Sequence, residues 1–162
     1  MPLRYHSPGH QKGLAAVETA LVAAVVLVVL FAVFEIGRVF FVANALEEAT
    51  RRGARVAAVC QVNDPAIVEI ALFNNSGGGG TSPLVYGLTS ANIRVDYISN
   101  DGTVITDPVG NFTAIDAVRV SVQNYQHELI IPFFMRTISM PAFATTFPRE
   151  SLGVTREGFT RC

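Results

Sequence analysis

The stretch KGLAAVETALVAAVVLVVLFAVF, residues 12–34, decides the fold. After Lys12 and Gly13 it stays apolar to Phe34 with a single charge, Glu18. At about 1.5 Å per residue, residues 14–34 wound as a helix reach about 30 Å, the thickness of a bilayer's hydrocarbon core. The stretch therefore predicts a membrane-spanning helix. A carboxylate inside such a span costs about 2.5–3.5 kcal/mol on insertion scales. Glu18 thus requires a reason to be there, and assembly with a partner supplies one.

A glycine, four mostly apolar residues and a glutamate at the head of a membrane helix resemble the processing site of type IV prepilins. The resemblance implies that a prepilin peptidase cuts between Gly13 and Leu14. Leu14 then becomes the first mature residue, and Glu18, the fifth, pairs with the free amino group of a neighbouring subunit. The electrostatics agree: cleavage creates a positive charge at Leu14, one turn from Glu18 on the same helix face.

The likeness becomes more specific downstream. Gly13, Ala15 to Glu18, the block Glu35-Ile36-Gly37-Arg38, Asn44-Ala45-Leu46 and the run Ala49-Thr50-Arg51-Arg52-Gly53-Ala54-Arg55 together resemble the signature of the TadE-like pseudopilins, minor pilins of bacterial tight-adherence pili. One place departs from the pattern: Thr19 stands where the family often carries an aromatic. The resemblance covers about the first third of the chain. It implies a subunit that supports pilus assembly, by priming or at a tip. Its implied partners are the prepilin peptidase, other pilins or pseudopilins, the pilus assembly machinery and inner-membrane lipid. It also implies a cytoplasmic N-terminus, a periplasmic C-terminal domain, and passage into an extracellular pilus.

Composition bounds the remainder. The chain has 162 residues, 50% of them hydrophobic, and a formal net charge of −1. Beyond the leader and the span, about a hundred residues remain, enough for one small domain with its own core. The expected organisation is a leader over 1–13, a transmembrane and amphipathic helical spine over 14–60, and an extracytoplasmic α+β domain over 61–162. With no basic excess, and with Arg51, Arg52 and Arg55 as the one basic cluster, nucleic acid is a poor partner. The two cysteines, Cys60 and Cys162, leave two readings open. In an oxidising compartment they are a possible disulfide between the tail and the helix end; otherwise they are a buried thiol and a free one.

Charge counting does not orient the span, because Arg4 and Lys12 precede it and Arg38, Arg51, Arg52 and Arg55 follow it. The processing motif decides the orientation instead. A secretory signal peptide cut after Ala43-Asn44-Ala45 is disfavoured, since its apolar core would exceed the usual 7–15 residues and the cut would interrupt a helix. The leader, with His6 and His10, reads as irregular and solvated rather than metal-binding.

Helical periodicity continues past Phe34 to about residue 60. Val39, Val42, Ala43, Leu46, Ala49, Gly53, Val56, Ala57 and Cys60 share a face, and Asn44, Glu47, Glu48, Arg51, Arg52 and Arg55 take another. Glu35 and Arg38, three apart at the edge of the apolar run, are placed to pair or to snorkel. Gly37 and Gly53 would let a neighbouring backbone approach, which makes Glu35, Gly37, Arg38 and Gly53 the candidate helix interface.

In the second half, Asn63-Asp64-Pro65 predicts a capped helix over 65–73 that buries Ile67, Ile70, Ala71 and Phe73. Residues 74–83, with four consecutive glycines, read as a linker; a phosphate loop would need a lysine that is absent. Residues 93–97 predict a strand, Asn100-Asp101-Gly102 a turn, and 103–106 its hairpin partner. Residues 115–124 alternate best, with Val118, Val120 and Val122 on one face. Residues 129–134, broken by Pro132, predict a helical turn or loop packed in the core, ahead of a surface patch. Residues 143–147 predict a last strand and 150–162 an irregular tail.

No catalytic constellation is evident. His127 beside Glu128 is weak evidence for acid-base work, and no nucleophile elbow, dinucleotide fingerprint or cysteine-rich metal spacing occurs. The expectation is a structural protein without catalytic residues, cofactor or metal. Its rival is a single-pass, membrane-anchored periplasmic binding or adhesion module.

Overall fold

The computed structural model describes residues 11–74, 79–130, 136–159 and 161–162. A 49-residue helix, α1 (Gln11–Val59), runs without a break. At 1.5 Å per residue it is about 73 Å long. No proline falls within it, and Gly37 is accommodated without interruption. The helix begins inside the expected leader, because Gln11 and Lys12 are good helix formers beyond the last leader proline, Pro8. The rest of that leader, with His6 and His10, lies outside the described residues.

The N-terminal half of α1 is bare and its C-terminal half is covered. Residues 13–31 are exposed throughout, whereas Val42, Ala45, Leu46, Ala49, Thr50, Ala54, Ala57 and Ala58 are buried. This buried stripe is wider than the expected one and rotated from it: Val39, Ala43 and Val56 are only half-buried. The cause is packing on two sides, with a short helix against one flank and a sheet against the other.

The short helix, α2 (Pro65–Ala71), is capped by Asp64, whose Oδ1 accepts from Ala66 N at 2.9 Å, with Pro65 in the first turn. It ends earlier than expected because Phe73 takes a left-handed conformation, φ 64°. Leu72 is therefore buried, while Ile70 and Phe73 are half-buried.

Among the described residues seven strands follow: β1 (Ile93–Ser99), β2 (Ile115–Val122), β3 (Gln126–Glu128), β4 (Thr137–Ser139), β5 (Phe143–Pro148), β6 (Val154–Thr155) and β7 (Gly158–Phe159). The main sheet is antiparallel in the order β1-β2-β5, with Val95 opposite Val120 and Val120 opposite Thr145. Val118, Val120 and Val122 face the core as their alternation predicts. On the other face Asp96 is also buried, beneath Arg94 Nε at 2.8 Å and Arg119 Nη2 at 3.3 Å. The fold is α+β: a long apolar helix followed by a small domain with a short helix and antiparallel sheets.

Four further expectations change. Residues 103–106 do not pair as a strand; Val104 makes one bridge to Ile98 and Ile105 N donates to Tyr97 O. Ser99, Asp101 and Thr103 tie the turn through their side chains, and Pro108 then ends any pairing. The best strand stops at Val122: Gln123 N still donates to Asn92 O in the β1–β2 register, but Asn92 already belongs to a 3-10 turn and Asn124 is left-handed, φ 55°. The strands β3 and β4 form an unexpected hairpin on which Ile130 is 68% exposed rather than packed in the core; residues 131–135 lie outside the described residues. The tail is not irregular throughout, since β6 and β7 pair and Leu152 is buried. Within the expected linker, residues 75–78 lie outside the described residues.

The tail also closes the end of α1. Glu150 N and Leu152 N donate to Ala58 O, and Gly153 N and Ser151 Oγ donate to Val59 O. These are carbonyls that a helix terminus leaves without intrahelical partners.

Candidate functional site

The bare half of α1 is one candidate surface. Its richest 18-residue window has a mean hydropathy of 2.8, and this is the one helix among the described residues long and apolar enough to cross a membrane. Leu14 is 75% exposed, and a Cβ built on Gly13 or Gly37 meets no atom of the described residues within 4 Å. Glu18 is exposed, and no described side chain pairs with it. Thr19, by contrast, is satisfied within the helix, its Oγ1 donating to Ala15 O at 2.8 Å. That bond lets a hydroxyl sit in an apolar span without an outside partner.

A second cluster stands where the helix enters the domain. Glu35 is only 6% exposed. Its Oε1 meets Arg38 Nη1 at 2.8 Å and lies 3.5 Å from His127 Nε2, and its Oε2 accepts from Ile130 N at 3.3 Å. Sequence spacing identifies the Glu35–Arg38 pair but not its lid. The lid is β3, whose His127 is 3% exposed. The signal available was slight: the one histidine outside the leader, in a three-residue strand too short to show a period. Beside this cluster Tyr125 donates to Tyr86 O at 2.8 Å. Burial pushes the Tyr125 hydroxyl above its ordinary pKa, with the Arg38 charge pulling it back and Glu128 adding to the rise.

Residues 13–55 match the family model of TadE-like protein. No curated protein and no solved structure matches the chain.

The matched segment contains Gly13, Leu14, Glu18 and the block from Glu35 to Arg38, and it ends inside the covered half of α1. Two of its glycines have opposite surroundings. Gly37 is exposed, whereas a Cβ on Gly53 would lie 3.0 Å from both Ala71 Cβ and Val120 Cγ1. The close approach that Gly53 permits is therefore to this chain's own α2 and β2, not to a neighbouring backbone. Gly53 leaves the candidate interface, and Gly37 stays at the surface.

The far end of α1 is fastened covalently. Cys60 and Cys162 form a disulfide with their Cα atoms 5.7 Å apart. Cys162 N also donates to Asp64 Oδ2 at 3.0 Å, so Asp64 caps α2 with one oxygen and holds the last residue with the other. Thr50 and Thr145 share a hydrogen bond of 2.7 Å between α1 and β5, a contact that the helical pattern alone does not disclose. Among the described residues no group of three or more histidine, cysteine, aspartate or glutamate side chains is gathered to hold a metal ion.

Proposed function

We propose that this chain is a minor pilin or pseudopilin of a bacterial tight-adherence pilus, cut by a prepilin peptidase between Gly13 and Leu14. One observation carries the reading: a single unbroken helix leaves its first half bare and apolar, with Glu18 near its start, and fastens its second half into a small domain. The match of residues 13–55 to the TadE-like family supports it.

In this reading the bare half lies in the inner membrane, with the N-terminus cytoplasmic and the domain periplasmic. The Cys60–Cys162 disulfide favours that side, since disulfides persist in oxidising compartments. Cleavage frees an amine at Leu14 that neutralises Glu18 of the same or a neighbouring subunit. Alanine, valine and Gly37 along the bare helix then pack against other pilin helices in lipid, and the bundle leaves the membrane as a unit. The domain needs no catalytic residue, cofactor or nucleic acid for this role.

The N-terminus of the mature protein from its host tests the reading. A start at Leu14 agrees with it, a start at Met1 indicates a plain anchor, and a start at Leu46 a secreted domain. Gly13→Phe should leave the leader attached. Glu18→Ala should leave a membrane-inserted protein that fails to co-purify with other pilus subunits.

A further inference from the structure

We propose that the β3–β4 hairpin is a second membrane contact, with Leu129, Ile130 and Ile138 resting in the headgroup and upper acyl region of the bilayer. The inference rests on the reading of α1 as a membrane anchor and goes beyond it, because it assigns the domain itself a lipid-facing surface.

Position comes first. Residues 14–34 span about 30 Å as a helix, so with Leu14 at one edge of the hydrocarbon the residues after Phe34 stand at the other. The hairpin is held at that level: Ile130 N donates to Glu35 Oε2, and Leu129 and Ile138 flank a hollow walled by Ala32, Ile36 and Phe40 of α1. Ala32 belongs to the span, so the hairpin reaches back alongside the helix to the depth where lipid begins.

Chemistry agrees with position. Ile130 is 68% exposed and Ile138 40% exposed, and Ile36, Phe40 and Phe41 are exposed beside them. These side chains continue the bare apolar surface of α1 without a gap onto the domain, and a bilayer is the apolar phase that surface already occupies. Charged groups border the patch: Glu128, at the end of β3, and Arg136, just ahead of β4, are exposed beside it, and Arg38 is half-exposed on the helix. Exposed apolar side chains interleaved with long arginines suit an element lying in the interface, where guanidinium groups snorkel to lipid phosphates.

The contact would fix the domain against the membrane surface instead of leaving it to swivel on one helix. It would also be lost when the subunit is drawn out into a filament.

The full chain lacks tryptophan, so single-tryptophan variants report depth directly. Val28→Trp marks the span, Ile130→Trp and Ile138→Trp the hairpin, and Val109→Trp an exposed loop away from the hairpin. Each is placed in phosphatidylcholine–phosphatidylglycerol vesicles with acyl chains brominated near the headgroup or near the bilayer centre. The expected result is quenching of Val28→Trp by the deep bromines, quenching and a blue shift of both hairpin tryptophans by the shallow bromines, and no change for Val109→Trp. If Val28→Trp is quenched and both hairpin variants are not, the contact is overturned and the anchor stands. Hairpin emission that is blue-shifted but unquenched means cover by protein, a second copy of the chain, and equally overturns it. If Val28→Trp escapes quenching as well, the anchor reading fails and this inference falls with it. Two exposed hairpin positions ensure that one poorly folded variant does not decide the outcome.

Discussion

Glu35 Oε1 lies 3.5 Å from His127 Nε2, joining the point where α1 leaves its apolar half to the first strand of the β3–β4 hairpin. The two residues contribute unequally. Glu35 also serves Arg38 and Ile130 N, whereas His127 Nε2 is buried and has no hydrogen-bond partner among the described residues. Glu35→Ala removes a carboxylate that accepts from Ile130 N and pairs with Arg38; hydrogen bonds to a charged group contribute about 1.5–3 kcal/mol, so the expected loss is about 1–3 kcal/mol. His127→Phe removes an unsatisfied polar atom at similar volume and should change stability by less than about 1 kcal/mol. Denaturant unfolding of the full chain in detergent micelles checks both; equal losses would mean that His127 anchors the hairpin as strongly as Glu35 does.

Gly37 and Gly53 make a contrasting pair. An added methyl at either gains about 1 kcal/mol of helix propensity. At Gly37 it meets no atom of the described residues within 4 Å, so Gly37→Ala should raise stability by about that amount. At Gly53 it meets Ala71 Cβ and Val120 Cγ1 at 3.0 Å each, and Ala71 has no rotamer by which to yield. Overpacking costs about 1–3 kcal/mol, so Gly53→Ala should be net destabilising. The same micelle unfolding experiment reads both signs. Should Gly37→Ala fold more stably and yet fail to join other pilus subunits, the exposed glycine serves the assembly surface.

The difference between these glycines marks where sequence reading ends. The helix, its span and the pairing of Glu35 with Arg38 follow from local spacing, because residues three and four apart on a helix must be neighbours. The capped start of α2 and the valine face of β2 are local in the same sense. Whether a glycine faces a neighbour or its own sheet depends on which flank of α1 the strands cover, and that is set by contacts remote in sequence. The lid over Glu35 was hidden for the same reason, since a strand of three residues carries no readable period. Asp96 shows a further limit: alternation places it outward, but two arginines lay their side chains over it.

Asp101, in the turn after β1, should titrate far from the ordinary carboxylate range. The Ser99 hydroxyl, then the Thr103 N–H and hydroxyl, donate to it and hold its pKa at about 2, against an ordinary 3.8. A carboxylate whose folded pKa is depressed stabilises the fold above its unfolded pKa. That contribution fades as the pH falls from 3.8 through about 2. The Asp101 carboxyl resonance should therefore move with a midpoint near 2 in an NMR titration. The stability gap between the parent and Asp101→Asn should narrow over the same interval. A midpoint near 3.8 would show that the turn does not hold these hydrogen bonds in solution.

The disulfide closes the domain over a sequence separation of 102. Cross-linking a loop of that size removes chain entropy from the unfolded state worth about 4.7 kcal/mol in the loop-closure model, with about 2–4 kcal/mol typical of measurement. The native state keeps other ties on the tail. Cys162 N bonds Asp64, Leu152 is buried, and residues 150–153 donate to the last carbonyls of α1. Those bonds do not depend on sulfur, so the Cys60→Ser, Cys162→Ser double variant should retain the fold and lose about 2–4 kcal/mol. Reducing the parent in the same denaturant series should reproduce that loss, while the double variant should ignore the reductant. A parent indifferent to reduction would mean that the tail is held by its backbone bonds alone, and the support that the disulfide lends to a periplasmic domain would be withdrawn.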